Sequence, residues 1–342
     1  MALTFGIFDH VDRGAAPLAE FYENRLKLIE AYDQHGFYVY LVAEHHATPL
    51  GMAPSPSVFL SAVAQRTKRL RFGPLVYALP LYNPLRLIEE ICMLDQMSGG
   101  RFEFGVGKGI SPIETAYYGV DPTHSEKMFA EAYEVVLRGL AGPTLTYAGE
   151  FYRFQEVPLE LEPLQKPHPP LWYGANNPQS AARAASRGMS VVANMPAGAL
   201  RPIGDAYWPA YKASGAPVAP KLGMNRHLVL AESDEEAVAV ARRAYRRWYA
   251  SFMALWWKHD RPPVGVSYPP EIDGFLADGR AVAGTPATVR ATLQAQLEAS
   301  GVNYLGCRLA FGDLSLTESL RSVELFAREV MPNLEPRRAA AE

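Results

Sequence analysis

Glu44-His45-His46 is the densest run of proton-handling side chains in this 342-residue chain. Adjacent residues of an extended segment face opposite ways, so Glu44 and His46 share one side and His45 takes the other. The three cannot all ligate one ion. A histidine at a strand end can act as a general base or donate a hydrogen bond to a bound cofactor. For His46 the plainer role of satisfying loop carbonyls stays open, and His10 and His227 suit pocket lining better than chemistry. No HExxH pair and no two-His-plus-carboxylate set at helical spacing occurs, so no catalytic metal is expected.

Residues 104–109 read Phe-Gly-Val-Gly-Lys-Gly. Lys108 is followed by glycine, not Ser or Thr, so this is no Walker loop, and no third glycine opens a helix as a dinucleotide fingerprint requires. Three glycines around one lysine nevertheless let backbone approach an anion beside a positive charge; a tight turn would use the same glycines. Asn176-Asn177-Pro178-Gln179-Ser180 caps a helix directly after a strand, where unpaired N–H groups and the helix dipole favour an anion and Ser180 can add a hydroxyl. Lys108 with Asn176, Asn177 and Ser180 thus reads as a phosphate clamp, with a plain cap at Asn177 as the alternative.

Positioning such groups takes a regular frame. Short β-branched and aromatic runs alternate with amphipathic segments, which predicts parallel strands at 3–8, 38–42, 70–77, 101–105, 171–173, 189–193, 222–230 and 304–309. Ser55-Pro56, Asn83-Pro84, Asn177-Pro178 and Thr285-Pro286 mark helix starts, as do Ser233 with Glu236 and Ser315 with Glu318 at capping-box spacing. The final helix should end at Met331-Pro332. Eight strands suggest an α/β fold closing as a (β/α)8 TIM barrel, one domain over residues 1–334 with a frayed tail at 335–342. Two insertions interrupt it: a hairpin plus extended connection at about 143–170, and a Pro/Gly-rich stretch at about 256–282 suited to an active-site lid. The carboxyl ends of the strands then carry Asp9-His10, the Glu44 run, Tyr77, Lys108, Asn176-Asn177, Asn194, Arg226-His227 and residues 308–311 on one rim.

Composition excludes other classes. With 33 Lys plus Arg against 36 Asp plus Glu, net charge −3 and no basic run, the footprint of a nucleic-acid binder is missing. No apolar run reaches the roughly 20 residues that span a bilayer, and Cys92 and Cys307 sit in no CxxC or Cys/His cluster. A cytoplasmic enzyme with no membrane or nucleic-acid partner is expected.

Several blocks together resemble the bacterial luciferase-like flavin-dependent monooxygenases: Glu44-His45-His46; Leu79-Pro80 with Asn83-Pro84; Leu94-Asp95-Gln96-Met97-Ser98-Gly99-Gly100-Arg101-Phe102; Phe104-Gly105; Gly284-Thr285-Pro286; and Val330-Met331-Pro332. The likeness covers roughly residues 3–334. It implies a barrel with insertions, a homodimer, and reduced FMN delivered by a separate flavin reductase. It further implies reaction of FMN with O2 through a flavin C4a-peroxide to oxygenate a small organic substrate such as an aldehyde or ketone. By resemblance His45 matches the catalytic histidine, Lys108, Asn177 and Ser180 the phosphate contacts, and Tyr77 and Ala78 the segment against the flavin ring; Glu44 and Asn176 join the cofactor set. Such chemistry needs a dry wall, for which Phe8, Tyr77, Tyr82, Trp256 and Trp257 are candidates, with Phe8, His10, His227 and Trp256 as the substrate pocket. The family often has arginine where this chain has Lys108, a point charge without bidentate geometry. Gly107 replaces the cysteine of the luciferase α subunit, which speaks against light emission. An F420-dependent oxidoreductase on the same barrel and a non-catalytic luciferase β-like subunit are the alternatives.

Overall fold

The computed structural model describes residues 2–216, 219–265 and 267–335. In chain order its elements are β1 Thr4–Asp9, α1 Leu18–Gln34, β2 Val39–Val42, α2 Pro56–Arg66, β3 Arg71–Pro74, β4 Tyr77–Ala78, α3 Pro84–Met97, β5 Phe104–Gly107, α4 Pro112–Tyr117 and α5 Ser125–Ala141. There follow β6 Thr144–Ala148, β7 Arg153–Pro158, β8 Leu171–Gly174, α6 Pro178–Ala185, β9 Ser190–Ala193, α7 Ala197–Ser214, β10 Leu222–Leu230 and α8 Asp234–Lys258. The chain ends with α9 Asp273–Asp278, β11 Ala281–Gly284, α10 Pro286–Ser300, β12 Tyr304–Arg308 and α11 Leu316–Leu325.

The parallel strands follow the order β3-β2-β1-β12-β10-β9-β8-β5-β4, with β11 added beside β10. A parallel bridge from Phe72 to Phe102 joins the two ends, so the sheet closes as a (β/α)8 barrel. Every residue of β2, β5, β9, β10 and β12 is buried, as strands covered on both faces must be. Tyr304 plugs the interior edge-on to Trp172, ring centroids 4.9 Å apart. It fits because its neighbouring staves carry glycine: a Cβ on Gly6 would lie 2.2 Å from the Tyr304 hydroxyl, and one on Gly223 2.3 Å from its ring.

The cap signals act as their chemistry requires. Asn83, Asn177, Ser233 and Thr285 each accept a hydrogen bond from the first turn of their helices, and Ser315 with Glu318 forms a full capping box. Ser55 marks a helix start without a side-chain cap bond.

Four expectations need correction. The strand at 70–77 is two strands, β3 and β4, broken at Leu75-Val76. The strand at 101–105 starts at Phe104, with Phe102 making only a bridge. The stretch at 256–282 is largely structured: α8 runs through Trp256 to Lys258, and α9 and β11 occupy its end. Alanine and glycine in β11 carry little strand propensity, so its pairing with β10 decides its conformation. The last helix leaves α geometry at Leu325 and continues as a π turn over Phe326–Val330 before Met331-Pro332. The 143–170 insertion holds the expected hairpin, β6 against β7. Of the expected tail, all but Glu335 lies outside the described residues. No helix among the described residues is long and apolar enough to cross a membrane.

Candidate active site

A cavity of about 580 Å³ opens at the carboxyl ends of the strands. Phe8 and His10 reach it from β1, Glu44 and His45 from β2, and Val76 and Ala78 from the β3–β4 region. Lys108 comes from β5, Asn176 from β8, Asn194 from β9 and Asn225 from β10. Ser111 and Thr115 around α4, Phe252 of α8, and Val264, Gly265 and Tyr268 cover it. The segment expected as a lid thus contributes lining residues.

His45 and His46 diverge as the strand geometry requires. His45 Nδ1 lies 3.2 Å from Glu114 Oε1, while the other carboxylate oxygen accepts the His46 backbone N–H at 2.7 Å. Burial tends to raise the Glu114 carboxyl, but the His45 and His46 contacts outweigh it, so its pKa lies below the usual range. With Nδ1 donating to this carboxylate, Nε2 of His45 is the ring atom without a protein partner among the described residues. His46 binds Glu44 Oε1 through Nε2 (2.8 Å) and the Tyr118 hydroxyl through Nδ1 (2.8 Å). It satisfies side chains, not the loop carbonyls considered from sequence.

Glu44 lines the cavity, yet its side chain is only 1% exposed and its oxygens are occupied. Besides His46, it accepts from the Ala78 backbone N–H (3.2 Å) and the Tyr82 hydroxyl (2.8 Å), pinning the wall strand that carries Ala78. Tyr77 turns away: fully buried, it pairs its hydroxyl with Ser57 Oγ at 2.7 Å. Val76 and Ala78 line the cavity in its place.

Lys108 is half exposed and ion-paired with Glu126 at 2.9 Å, a surface pair weak enough for an anion to replace. Asn176 shares the cavity with it, but Asn177 and Ser180 are not among the lining residues. The Ser180 N–H is already donated to Asn177 Oδ1, and the Ser180 hydroxyl accepts from Arg183. Asn177 therefore acts as a helix cap, and Ser125, which opens α5 on the cavity wall, stands on the Lys108 side instead. Gly107 is imposed by its surroundings, since a Cβ there would lie 2.4 Å from Val76 Cγ2.

His10 lines the cavity and stacks on His45 at 5.7 Å, and burial, with help from Arg308, pushes its pKa well down. His227 and Trp256 do not line the cavity. His227 lies under an aromatic cluster of Trp248, Tyr245, Phe275 and Phe311. Trp256 packs with Ile113 and Leu255, Tyr82 braces Glu44, and Trp257 is exposed. Of the five aromatics expected as a wall only Phe8 lines the cavity, joined by Phe252 and Tyr268. Arg226 turns outward to Gln296, and Asp9 to Arg25 and Tyr40.

Glu114 escaped sequence reasoning because it lies 69 positions from His45 and only the loop after β5 brings it there. Its one local signal was Ser111-Pro112 opening a helix, with Ser111 capping the Glu114 N–H. Among the described residues no group of three or more His, Cys, Asp or Glu is placed to hold a metal ion.

A family model described as luciferase-like monooxygenase matches residues 3–304. An uncharacterized protein, y4wF of Sinorhizobium fredii, is 45% identical over 331 residues, covering 96% of each chain. Limonene 1,2-monooxygenase of Rhodococcus erythropolis is 28% identical over 90% of this chain and 80% of its own. The oxygenase component of a flavin-dependent trigonelline monooxygenase of Acinetobacter baylyi is 25% identical, with 76% and 73% covered. Among solved structures, monooxygenase RslO1 of Streptomyces bottropensis superposes with TM-score 0.86 at 28% identity, over 96% of this chain and 99% of that one. Two others share the fold: the FMN complex of the oxygenating constituent of Pseudomonas putida 3,6-diketocamphane monooxygenase, and the coenzyme F420-dependent tetrahydromethanopterin reductase of Methanopyrus kandleri. The first has TM-score 0.83 at 21% identity over 98% and 100% of the two chains. The second has TM-score 0.70 at 18% identity, with the same shares covered. With one family model spanning nearly all of the barrel and these relatives along its length, the chain belongs to the luciferase-like monooxygenases.

Proposed function

We propose that the protein is the oxygenase of a two-component system that takes reduced FMN from a separate reductase and uses O2 to oxygenate a small organic substrate such as an aldehyde or ketone. The observation that carries this reading is the His45–Glu114 pair beside a cavity of about 580 Å³ that Lys108 also lines. The residues fit the cofactor. Lys108, Asn176 and Ser125 supply a cation and neutral polar groups for a phosphate, while Val76, Ala78 and the side-chain-free Gly107 offer a smooth apolar wall for a flat ring. Reduced FMN supplies the two electrons with which O2 is activated.

The chain's own part is to bind, shield and move one proton. Glu114 fixes the His45 ring, leaving Nε2 as the atom that takes or gives the proton. Phe8, Leu50, Phe252 and Tyr268 give the cavity its apolar wall and keep water from the reacting atoms. The intact histidine–carboxylate pair and Lys108 argue against a non-catalytic subunit. Exposed Val58 on α2 and Met93 and Met97 on α3 fit a homodimer contact.

Titration of the purified chain with reduced FMN and reduced F420 under anaerobic conditions tests the cofactor. Admission of O2 with a panel of aldehydes and ketones tests the activity. Saturable FMN binding and an oxygenated product are expected. Tight F420 binding with no response to FMN would overturn the reading in favour of hydride transfer without oxygen.

A further inference from the structure

Behind the cavity wall, on the β1–β10–β12 side, lies a charge that neither His45 nor Lys108 engages. Arg308, the last residue of β12, is 4% exposed and does not itself line the cavity, and among the described residues its Nε and Nη2 have no hydrogen-bond partner. Its Nη1 lies 3.4 Å from His227 Nε2, and the guanidinium sits over the Phe8 ring at 4.7 Å and the Trp248 ring at 5.9 Å. Among the described residues no carboxylate forms an ion pair with it, whereas Arg25, buried to a similar degree, has Asp9 at 3.2 Å. A guanidinium removed from water without a counter-ion is costly, and a ligand that supplies the missing negative charge recovers that cost.

The surroundings supply donors. Trp248 Nε1 donates to His10 Nδ1 at 3.4 Å, so the neutral His10 ring carries its hydrogen on Nε2. Asn225, inward on β10, lines the cavity. Phe8, His10 and Tyr268, which surround or face the guanidinium, are themselves cavity-lining residues. The rest of this side is aromatic, with Trp248, Phe252 and Phe311.

We propose that the β1–β12 end of the cavity is a subsite for a substrate carboxylate, held by Arg308 with His10 beside it, so that the substrates of this enzyme are small acids with an apolar body. The inference rests on the cavity being the reaction site. Turning the Phe8 or Tyr268 ring aside opens Nε and Nη2 to the ligand, and those rings then pack on its apolar part. The substrate's charged end sits across the cavity from Lys108, leaving its body between His45 and the cofactor wall.

The test is binding of cyclohexanecarboxylate and its methyl ester to the purified full-length chain, followed by calorimetry and by tryptophan fluorescence, which Trp248 should report. The acid should bind at least tenfold more tightly than the ester. Arg308→Gln should lose at least tenfold in acid affinity with the ester unaffected, and Arg308→Lys should retain part of the preference. Equal binding of acid and ester by the wild type, or an Arg308→Gln protein of native circular dichroism that keeps the preference, overturns the proposal. Should both variants misfold, a crystal of the wild type soaked in the acid decides: a carboxylate on Arg308 supports the subsite, and one elsewhere overturns it. FMN binding is measured apart. Acid preference without FMN binding keeps the subsite and removes the flavin reading, and FMN binding without acid preference does the reverse.

Discussion

His45 and Glu114 set the expectations at the scale of single residues. His45→Ala should cut turnover by about 10²–10⁴-fold with FMN affinity retained, measured as product per FMN oxidised. Glu114 acts through His45. Because its folded pKa lies below the unfolded one, its contribution to stability is complete above the unfolded value and fades as pH falls through the folded value. Thermal melts of wild type and Glu114→Gln should therefore differ by a constant amount at neutral pH and converge only in acid below the usual carboxylate range. A difference that vanishes near neutrality would contradict the pairing.

Asp12 shows the opposite sign. Burial, only partly offset by Arg25, raises its carboxyl from 3.8 to about 7, and among the described residues Oδ1 has no partner. The charged form is thus penalised, and stability is lost as pH rises from the unfolded value through the folded one. Asp12→Asn should match the wild type near pH 4 and be more stable at about pH 8, by at most about 4 kcal/mol, as read from denaturant midpoints at the two pH values. That His45 faces the cavity was legible in the sequence, because it follows a strand at the carboxyl rim and alternates with Glu44 and His46. Glu114 was not, because its role comes from a contact 69 positions away.

Among the elements, the loop after β5 and the break between β3 and β4 are built against each other. Gly107→Ala would place a methyl 2.4 Å from Val76 Cγ2, and the overpacking should cost about 1–3 kcal/mol. Val76→Ala in the same chain should recover most of it. If the two changes add independently in a double-mutant cycle, the contact is not the cause. The glycines of residues 104–109 were visible from sequence, but not which of them answers to packing. Helix starts were the most legible feature, since a cap and a following proline act within one turn. Strand limits were the least, because β3 and β4 read as one apolar run and only the partner strands show where pairing stops.

For the molecule as a whole, the cavity closes only when the barrel, α4, α8 and the segment before α9 come together. A cofactor bound there should stabilise all of them together. FMN at about a hundred times its dissociation constant should add about 2.7 kcal/mol and raise the calorimetric midpoint by a few degrees. A midpoint unmoved by FMN at any concentration would speak against the cavity as its site.

The alternation of strand and helix, the caps, the glycine loop and the polar rim follow from the sequence itself, because each depends on neighbours within a few residues. The motif blocks place the chain in its family for the same reason. Which of those polar groups meet was decided by the tertiary structure alone. Asn177, Ser180, His227, Tyr77 and Trp256 sit beside or behind the cavity they were expected to line, while Glu114, Tyr268 and Asn225 enter the site from distant segments. The direction in which a side chain points at a strand end depends on how the next loop packs. That packing is a sum over contacts between residues far apart in the chain, and no local pattern encodes it.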